Sequence, residues 1–146
     1  MDSLAHLGSE QAIATMIDFA AESGRDHVMR SIYEIRDPDA APLLSASLRS
    51  GGAGEFVPTA LRKLGSFADP RTLPDLERFL NRSRGSQSHD ALRALSKFSD
   101  RAAARVLQDF AERTLDERLS KVASSYASRV ERRAQEKAGG RERRKG

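Results

Sequence analysis

A short pattern that recurs about every 30 residues constrains this chain more than any other feature. Residues 35–44 read IRDPDAAPLL and residues 67–76 read FADPRTLPDL, so both copies combine an apolar residue, Asp-Pro and a second Pro. A third copy at 98–107 keeps the Asp but lacks both prolines, and a fourth, weaker copy begins at Ser9. The anchor residues lie 28, 32 and 31 residues apart, at Ser9, Asp37, Asp69 and Asp100.

These anchors have the chemistry of helix starts. An Asp or Ser side chain at an N-cap accepts hydrogen bonds from unpaired backbone N–H groups, and Pro suits the first helical position because it has no N–H to satisfy. Apolar residues then follow at helical spacing, as at Leu73, Leu76 and Leu80. No segment alternates with the two-residue period of a strand. The sequence therefore predicts an all-α chain built from helix pairs.

A second apolar stripe follows a glycine-rich or polar break in each copy, so each repeat predicts two helices. The segment Thr114 to Glu117 reads as a capping box that opens the last pair. We expect eight helices, near 9–22, 25–35, 38–50, 55–67, 70–82, 88–98, 101–113 and 115–137. Such pairs cannot bury their apolar faces alone, so they are expected to stack.

The segment at 60–76, ALRKLGSFADPRTLPDL, resembles the short HEAT-like repeats that include those named after phycobilisome lyases. Units of that family read A-L-x-x-L-G followed by D-P-R-x-x-P-x-L. The resemblance implies a short α-solenoid of about four antiparallel helical hairpins in a right-handed superhelical stack, with the second helix of each hairpin on the concave side. We accordingly divide the chain into an N-terminal arm (1–8), a HEAT-like domain (9–130), and a basic helix extension with a disordered tail (131–146).

One line of arginines keeps the register of the repeat. Arg30, Arg62 and Arg93 each lie seven residues before an anchor Asp, so they share one position of the second helix. The resemblance would place them along the concave face, with further cations nearby at Lys63, Lys97, Arg118 and Lys121. Guanidinium groups bind carboxylate or phosphate through paired hydrogen bonds. The line predicts an anion-binding surface, although an ordinary solvated helix face would show the same residues.

The C-terminal end is a second candidate contact. Residues 1–73 carry a net charge of −3 and residues 74–146 carry +7. The basic tail residues are Arg132, Arg133, Arg141, Arg143, Arg144 and Lys145. We expect the last helix to fray at Gly139-Gly140. The tail then either binds RNA, DNA or an acidic protein surface, or only keeps the terminus soluble.

Several function classes find no support in the sequence. The chain has no Cys, and its three His residues are too far apart in sequence to show a metal-ligand spacing. The glycine-rich loop at 50–54 lacks the Lys-Ser/Thr ending of a phosphate-binding loop. We expect no enzymatic activity, metal or cofactor. No apolar run is long enough for a membrane span and no secretion signal is present, so a cytoplasmic location is expected.

These features favour a noncatalytic scaffold that holds a protein partner with an acidic surface on its concave face. An adaptor, an assembly factor and an immunity-type inhibitor all fit this hypothesis. The alternative is binding of a nucleic-acid backbone through the arginine line and the tail. A third hypothesis, a bilin lyase or chromophore chaperone, follows only from the name of the repeat family.

Overall fold

The computed structural model describes the backbone of residues 2–145 and the side chains of residues 10–139. Within that part of the chain the secondary structure is all-α, which confirms the predicted class, and it contains no strand. A short 3-10 helix at Pro70–Thr72 precedes the fifth of the eight α-helices. The α-helices are α1 (Asp2–Ser23), α2 (Asp26–Tyr33), α3 (Ala40–Ser47), α4 (Phe56–Phe67), α5 (Leu73–Arg82), α6 (Ser86–Leu95), α7 (Arg101–Arg113) and α8 (Glu117–Lys145).

The helix boundaries agree best with prediction in the middle of the chain, and α7 has the predicted bounds. The two terminal helices are longer than expected, because α1 begins at Asp2 and α8 continues to Lys145. The expected helix break at Gly139-Gly140 is absent, since the backbone remains helical there. The backbone of residues 2–8 is likewise helical and forms the start of α1. The division of the chain at 8/9 and 130/131 stays a prediction.

The helices contact one another in a regular order. Each odd-numbered helix packs against the helix that follows it, most extensively in the pair α7 and α8. Helices two apart also touch, so α2, α4, α6 and α8 form one row of contacts and α1, α3, α5 and α7 form another. Every helix contributes to one hydrophobic core, for example through Ile17, Ile32, Leu44, Leu61, Leu76, Leu92, Leu107 and Val130. We call α2, α4, α6 and α8 the even row.

Only part of the predicted capping pattern is present. Asp69 caps the helical segment that begins at Pro70, since its Oδ1 accepts the Arg71 N–H at 2.9 Å. The Asp37 Oδ1 accepts the Asp39 N–H at 3.0 Å, which closes a turn before α3 begins at Ala40. Asp100 stands directly before α7, but its side chain caps no backbone N–H there. Ser9 lies inside α1, so the prediction that it starts a helix is wrong.

The capping box predicted at Thr114 is also wrong. Helix α8 begins two residues later than a Thr114 cap requires, and Asp116 caps it instead. Its Oδ1 accepts the N–H groups of Arg118 at 2.9 Å and Leu119 at 3.2 Å. The Thr114 hydroxyl accepts only the Asp116 N–H, at 3.3 Å. Thr114 therefore shapes the turn before the helix, while Asp116 satisfies the first free N–H groups of α8.

Arginine side chains join successive repeats of the sequence. The Arg71 guanidinium bonds Asp69 at 2.7 Å and the backbone carbonyl of Pro38 at 3.3 Å. Arg82, in the last turn of α5, donates to the carbonyl of Leu48, and Arg113, in the last turn of α7, donates to the Asn81 side chain. Arg82 and Arg113 each lie thirteen residues after an anchor Asp. The repeat thus contains a second line of arginines, which has a structural role.

Candidate functional site

The predicted arginine line lies on three successive helices of the even row. Arg30 is on α2, Arg62 on α4 and Arg93 on α6, and all three are exposed. Because α4 contacts both α2 and α6, these helices place the three side chains on neighbouring elements. Their exposure makes them accessible to a ligand.

A groove between α4 and α6 brings part of this line together. Its volume is about 360 Å³, and it is lined by Arg62, Gly65, Asp90, Arg93, Ala94 and Lys97. Gly65 and Ala94 lie where the two helices approach closely, since a Cβ on Gly65 would stand 3.1 Å from the Ala94 Cα. Three of the lining side chains are cationic and one is a carboxylate. The groove therefore combines small residues with a net positive lining, and we call it the α4–α6 groove.

Tyr33 holds two cations at the edge of this surface. Its hydroxyl accepts a hydrogen bond from Arg62 Nη1 at 3.3 Å, and its backbone carbonyl accepts one from Lys63 Nζ at 3.0 Å. The Lys63 Nζ also lies 5.0 Å from the centre of the Phe67 ring. The hydrogen bond to Tyr33 raises the pKa of Arg62, and the charge of Asp90 acts in the same direction. Arg62 thus presents a permanent, partly fixed positive charge.

The other two cations of the groove, Arg93 and Lys97, are not held by a comparable hydrogen bond from a described residue. Neither Arg93 nor Lys97 forms a side-chain hydrogen bond or ion pair with any residue that the structure describes. Asp90 lies one turn before Arg93 on α6 and lines the same groove. With two unpaired cations, the α4–α6 groove has the electrostatics of an anion-binding site.

The remaining predicted members of the surface lie apart from this groove. Arg30, Arg118 and Lys121 are exposed but do not line it. Lys63 does not line the groove either, but it is linked to it because Lys63 and Arg62 both bond Tyr33. The structure thus brings Arg62, Arg93 and Lys97 together, and it leaves the other four predicted residues outside the lining.

The basic tail residues separate into three groups. Arg132 is exposed and lines a second groove, of about 660 Å³, between α7 and α8. Arg133 is half-buried, and its Nη1 donates to the backbone carbonyls of Ser96 at 2.7 Å and Phe98 at 2.9 Å. These two bonds hold the segment after α6, and the assignment of Arg133 to a ligand-binding tail stays a prediction. The side chains of Arg141, Arg143, Arg144 and Lys145 lie outside the described residues.

Three residues of the groove region were not predicted. Tyr33 and Gly65 each lie four residues before an anchor Asp, so comparing the repeats position by position pairs them. A comparison of the repeats could therefore have identified Tyr33 and Gly65, just as it identifies the line of arginines. Asp90 carries no such signal, because no other repeat has a carboxylate at its position, which is occupied by His27 and Thr59.

A metal-binding cluster and a membrane-spanning helix are both absent from the described residues. Among the side chains of residues 10–139, no three His, Asp or Glu residues are grouped as a metal ion would require. None of the described helices combines the length and the apolar character that crossing a membrane demands. Comparison of the chain with protein-family models, with curated proteins and with solved structures gives no match.

Proposed function

We propose that this protein is a noncatalytic scaffold that binds a protein partner through the exposed side of α2, α4 and α6. In this proposal the helix pairs stack as a short HEAT-like α-solenoid, and the even row forms its concave face. The regular contacts between helices two apart support that stacking. The observation that carries the binding function is the α4–α6 groove, where Arg93 and Lys97 form no side-chain hydrogen bond or ion pair with a described residue.

A protein ligand suits this surface better than a nucleic acid. Binding to a phosphate backbone requires a run of available cations, and on this surface Tyr33 occupies both Arg62 and Lys63. Base stacking requires several exposed aromatic rings, and among the described residues only Phe19 and Tyr33 are exposed aromatics. A groove with positive and negative groups side by side is instead typical of a surface that recognises a charged polypeptide.

One observation favours the alternative, nucleic-acid binding by the C-terminal end. The groove between α7 and α8 is lined by Arg101, Arg105 and Arg132, and α8 continues from there with five further Lys or Arg residues in its last nine positions. Glu131 moderates this charge, since its carboxylate lies 3.6 Å from Arg101. In this alternative α8 binds phosphates and the α4–α6 groove is not used.

The experiment compares three variants as affinity baits in host extract, with bound proteins identified by mass spectrometry. Arg30, Arg62 and Arg93 are replaced by Glu in the first, which changes the net charge from +4 to −2. The second carries the same charge change at Arg25, Arg36 and Arg84, which are exposed and lie outside the α4–α6 groove. The third lacks residues 141–145. Circular dichroism checks that each variant remains helical.

The proposal requires that a partner retained by the natural chain is lost, by more than tenfold, only from the first variant. Equal loss from the first two variants would show that net charge alone is responsible. Binding that survives in the first variant and disappears in the third would place the contact at the C-terminal end. A duplex DNA probe then tests the alternative, since phosphate binding weakens steeply between 50 and 200 mM salt.

A further inference from the structure

Two neighbouring repeats differ at one position, and this difference determines whether the arginine of the next repeat has a hydrogen-bond acceptor there. Arg62 and Arg93 occupy the same position of the repeat, seven residues before Asp69 and Asp100. In the repeat before each of them, the equivalent residues are Tyr33 and Gly65. The Tyr33 hydroxyl accepts a hydrogen bond from Arg62. Gly65 has no side chain, so it offers Arg93 no equivalent acceptor.

Gly65 lies at the helix contact that borders the α4–α6 groove. Gly65 lies within α4 at an ordinary helical position, and a Cβ there would stand 3.1 Å from the Ala94 Cα and 3.3 Å from the Lys97 Cγ. Gly65 therefore lets α4 and α6 approach closely beside Arg93 and Lys97. The groove next to this contact has a volume of about 360 Å³. Arg93 lines this open groove without a partner equivalent to the Tyr33 hydroxyl that holds Arg62.

We propose that the α4–α6 groove binds one carboxylate side chain, an Asp or Glu of the partner polypeptide. Arg93 supplies paired N–H donors to the two carboxylate oxygens, a geometry that a planar guanidinium favours. Lys97 and Arg62 contribute positive charge from either side. This assignment rests on the proposed function, in which the same face binds a protein, and it names the chemical group that the partner inserts.

Asp90 lowers the positive charge of the groove lining. The lining has three cations and one carboxylate, so a single incoming carboxylate leaves a net charge of +1. Asp90 also competes with the ligand, because its charge interacts with Arg62. Removal of the Asp90 charge should therefore strengthen binding, whereas removal of the Arg93 charge should weaken it. A general charge effect predicts the same two signs, so a charge-matched change at Arg84, which is exposed and outside the groove, distinguishes a site from such an effect.

The test is a titration of the full ¹⁵N-labelled chain, followed by NMR of the Arg Nε–Hε groups and the Gly65 amide. The probe is a capped Gly-Ser-Glu-Ser-Gly peptide, and the matched control has Gln in place of Glu. We expect saturable shifts at Arg93 and Gly65 with the Glu peptide only. Arg93→Gln should weaken binding about two- to fivefold and Asp90→Asn should strengthen it about twofold, as expected for exposed charge pairs. Arg84→Gln, which makes the same charge change outside the groove, should have no effect.

A second variant tests the role of the glycine directly. Gly65→Tyr restores the residue type found at the equivalent position 33 and should abolish the shifts at Arg93. Because its Cβ would crowd Ala94, Arg93→Gln remains the primary test, since it adds no atoms at the helix contact.

Three results would overturn the assignment. The first is the absence of saturable shifts at Arg93, the second is equal binding of the Glu and Gln peptides, and the third is tighter binding of inorganic phosphate than of the Glu peptide. If any of these occurs while the triple charge reversal still releases the partner, the carboxylate site fails and the proposed function stands. If the triple reversal releases nothing, the proposed function fails as well.

Discussion

Replacement of Arg133 by Ala should destabilise the chain far more than the same change at its neighbour Arg132. The Arg133 Nη1 bonds the carbonyls of Ser96 and Phe98, which follow the end of α6 at Leu95. Carbonyls at the end of a helix have no partner within it, and the Phe98 side chain is fully buried. Loss of the guanidinium would therefore leave two acceptors without their donor in a poorly hydrated place.

The expected magnitude follows from these contacts. A hydrogen bond from a charged group contributes about 1.5–3 kcal/mol. The two bonds share one nitrogen of a half-buried side chain, so we assign about 2 kcal/mol to the pair together. Arg132 is exposed and bonds no described residue, and its replacement should cost no more than about 0.5 kcal/mol. The difference between the two variants should then be about 1.5 kcal/mol.

Urea unfolding followed by far-ultraviolet circular dichroism measures this difference. Both variants change the net charge from +4 to +3, so any effect of overall charge is common to them. The melting temperature of Arg133→Ala should fall by about 4–8 °C for a chain of this size. Free energies of unfolding that agree within about 0.5 kcal/mol would refute the assigned role of Arg133, and they would return this residue to the exposed tail.

Two further predictions concern the contribution to stability of residues at the starts of helices. Hydrogen bonds from Arg71 hold the pKa of Asp69 below its usual range, so the carboxylate stabilises the fold above about pH 4 and this contribution is lost as the pH falls. Thermal unfolding between pH 2.5 and 7 should show a smaller decrease at low pH for Asp69→Asn than for the natural chain, and identical profiles would contradict this. At the start of α8, Asp116→Ala should cost about 1 kcal/mol in chemical unfolding and Thr114→Ala clearly less, because Asp116 accepts two N–H groups of the helix. A larger loss of stability for Thr114→Ala than for Asp116→Ala would instead support the predicted cap at Thr114.

The parts of the fold that depend on local chemistry were predictable from the sequence. The all-α class and the bounds of α7 follow from apolar spacing and from residues next to the helix ends. The start of α8 did not follow, because Thr114 and Asp116 are both good caps. Their competition is settled by packing, where the Ser120 hydroxyl donates to the Ala111 carbonyl at 2.7 Å and fixes the first turn against α7.

Only the charged residues of the candidate site were predictable from the sequence, and not their arrangement. The register of the repeat identified Arg62 and Arg93, and the structure places both in one groove. The register could not show that Arg133 and Arg132 have different contacts, because both are arginines on the same helix. The partners of Arg133 lie 35 and 37 residues earlier in the chain. Gly65, where α4 and α6 approach closely at the groove, carries no side chain, so a pattern of charges does not identify it.

The bond from Arg133 to Ser96 also has a consequence for the order in which the chain matures during translation. The Ser96 carbonyl, directly after α6, receives its donor only after 37 more residues have been added. At about 5–20 residues per second, this delay lasts about 2–7 s. During that interval the Ser96 and Phe98 carbonyls lack the Arg133 donor that they have in the complete fold. The final assembly of the third repeat therefore awaits synthesis of the last helix.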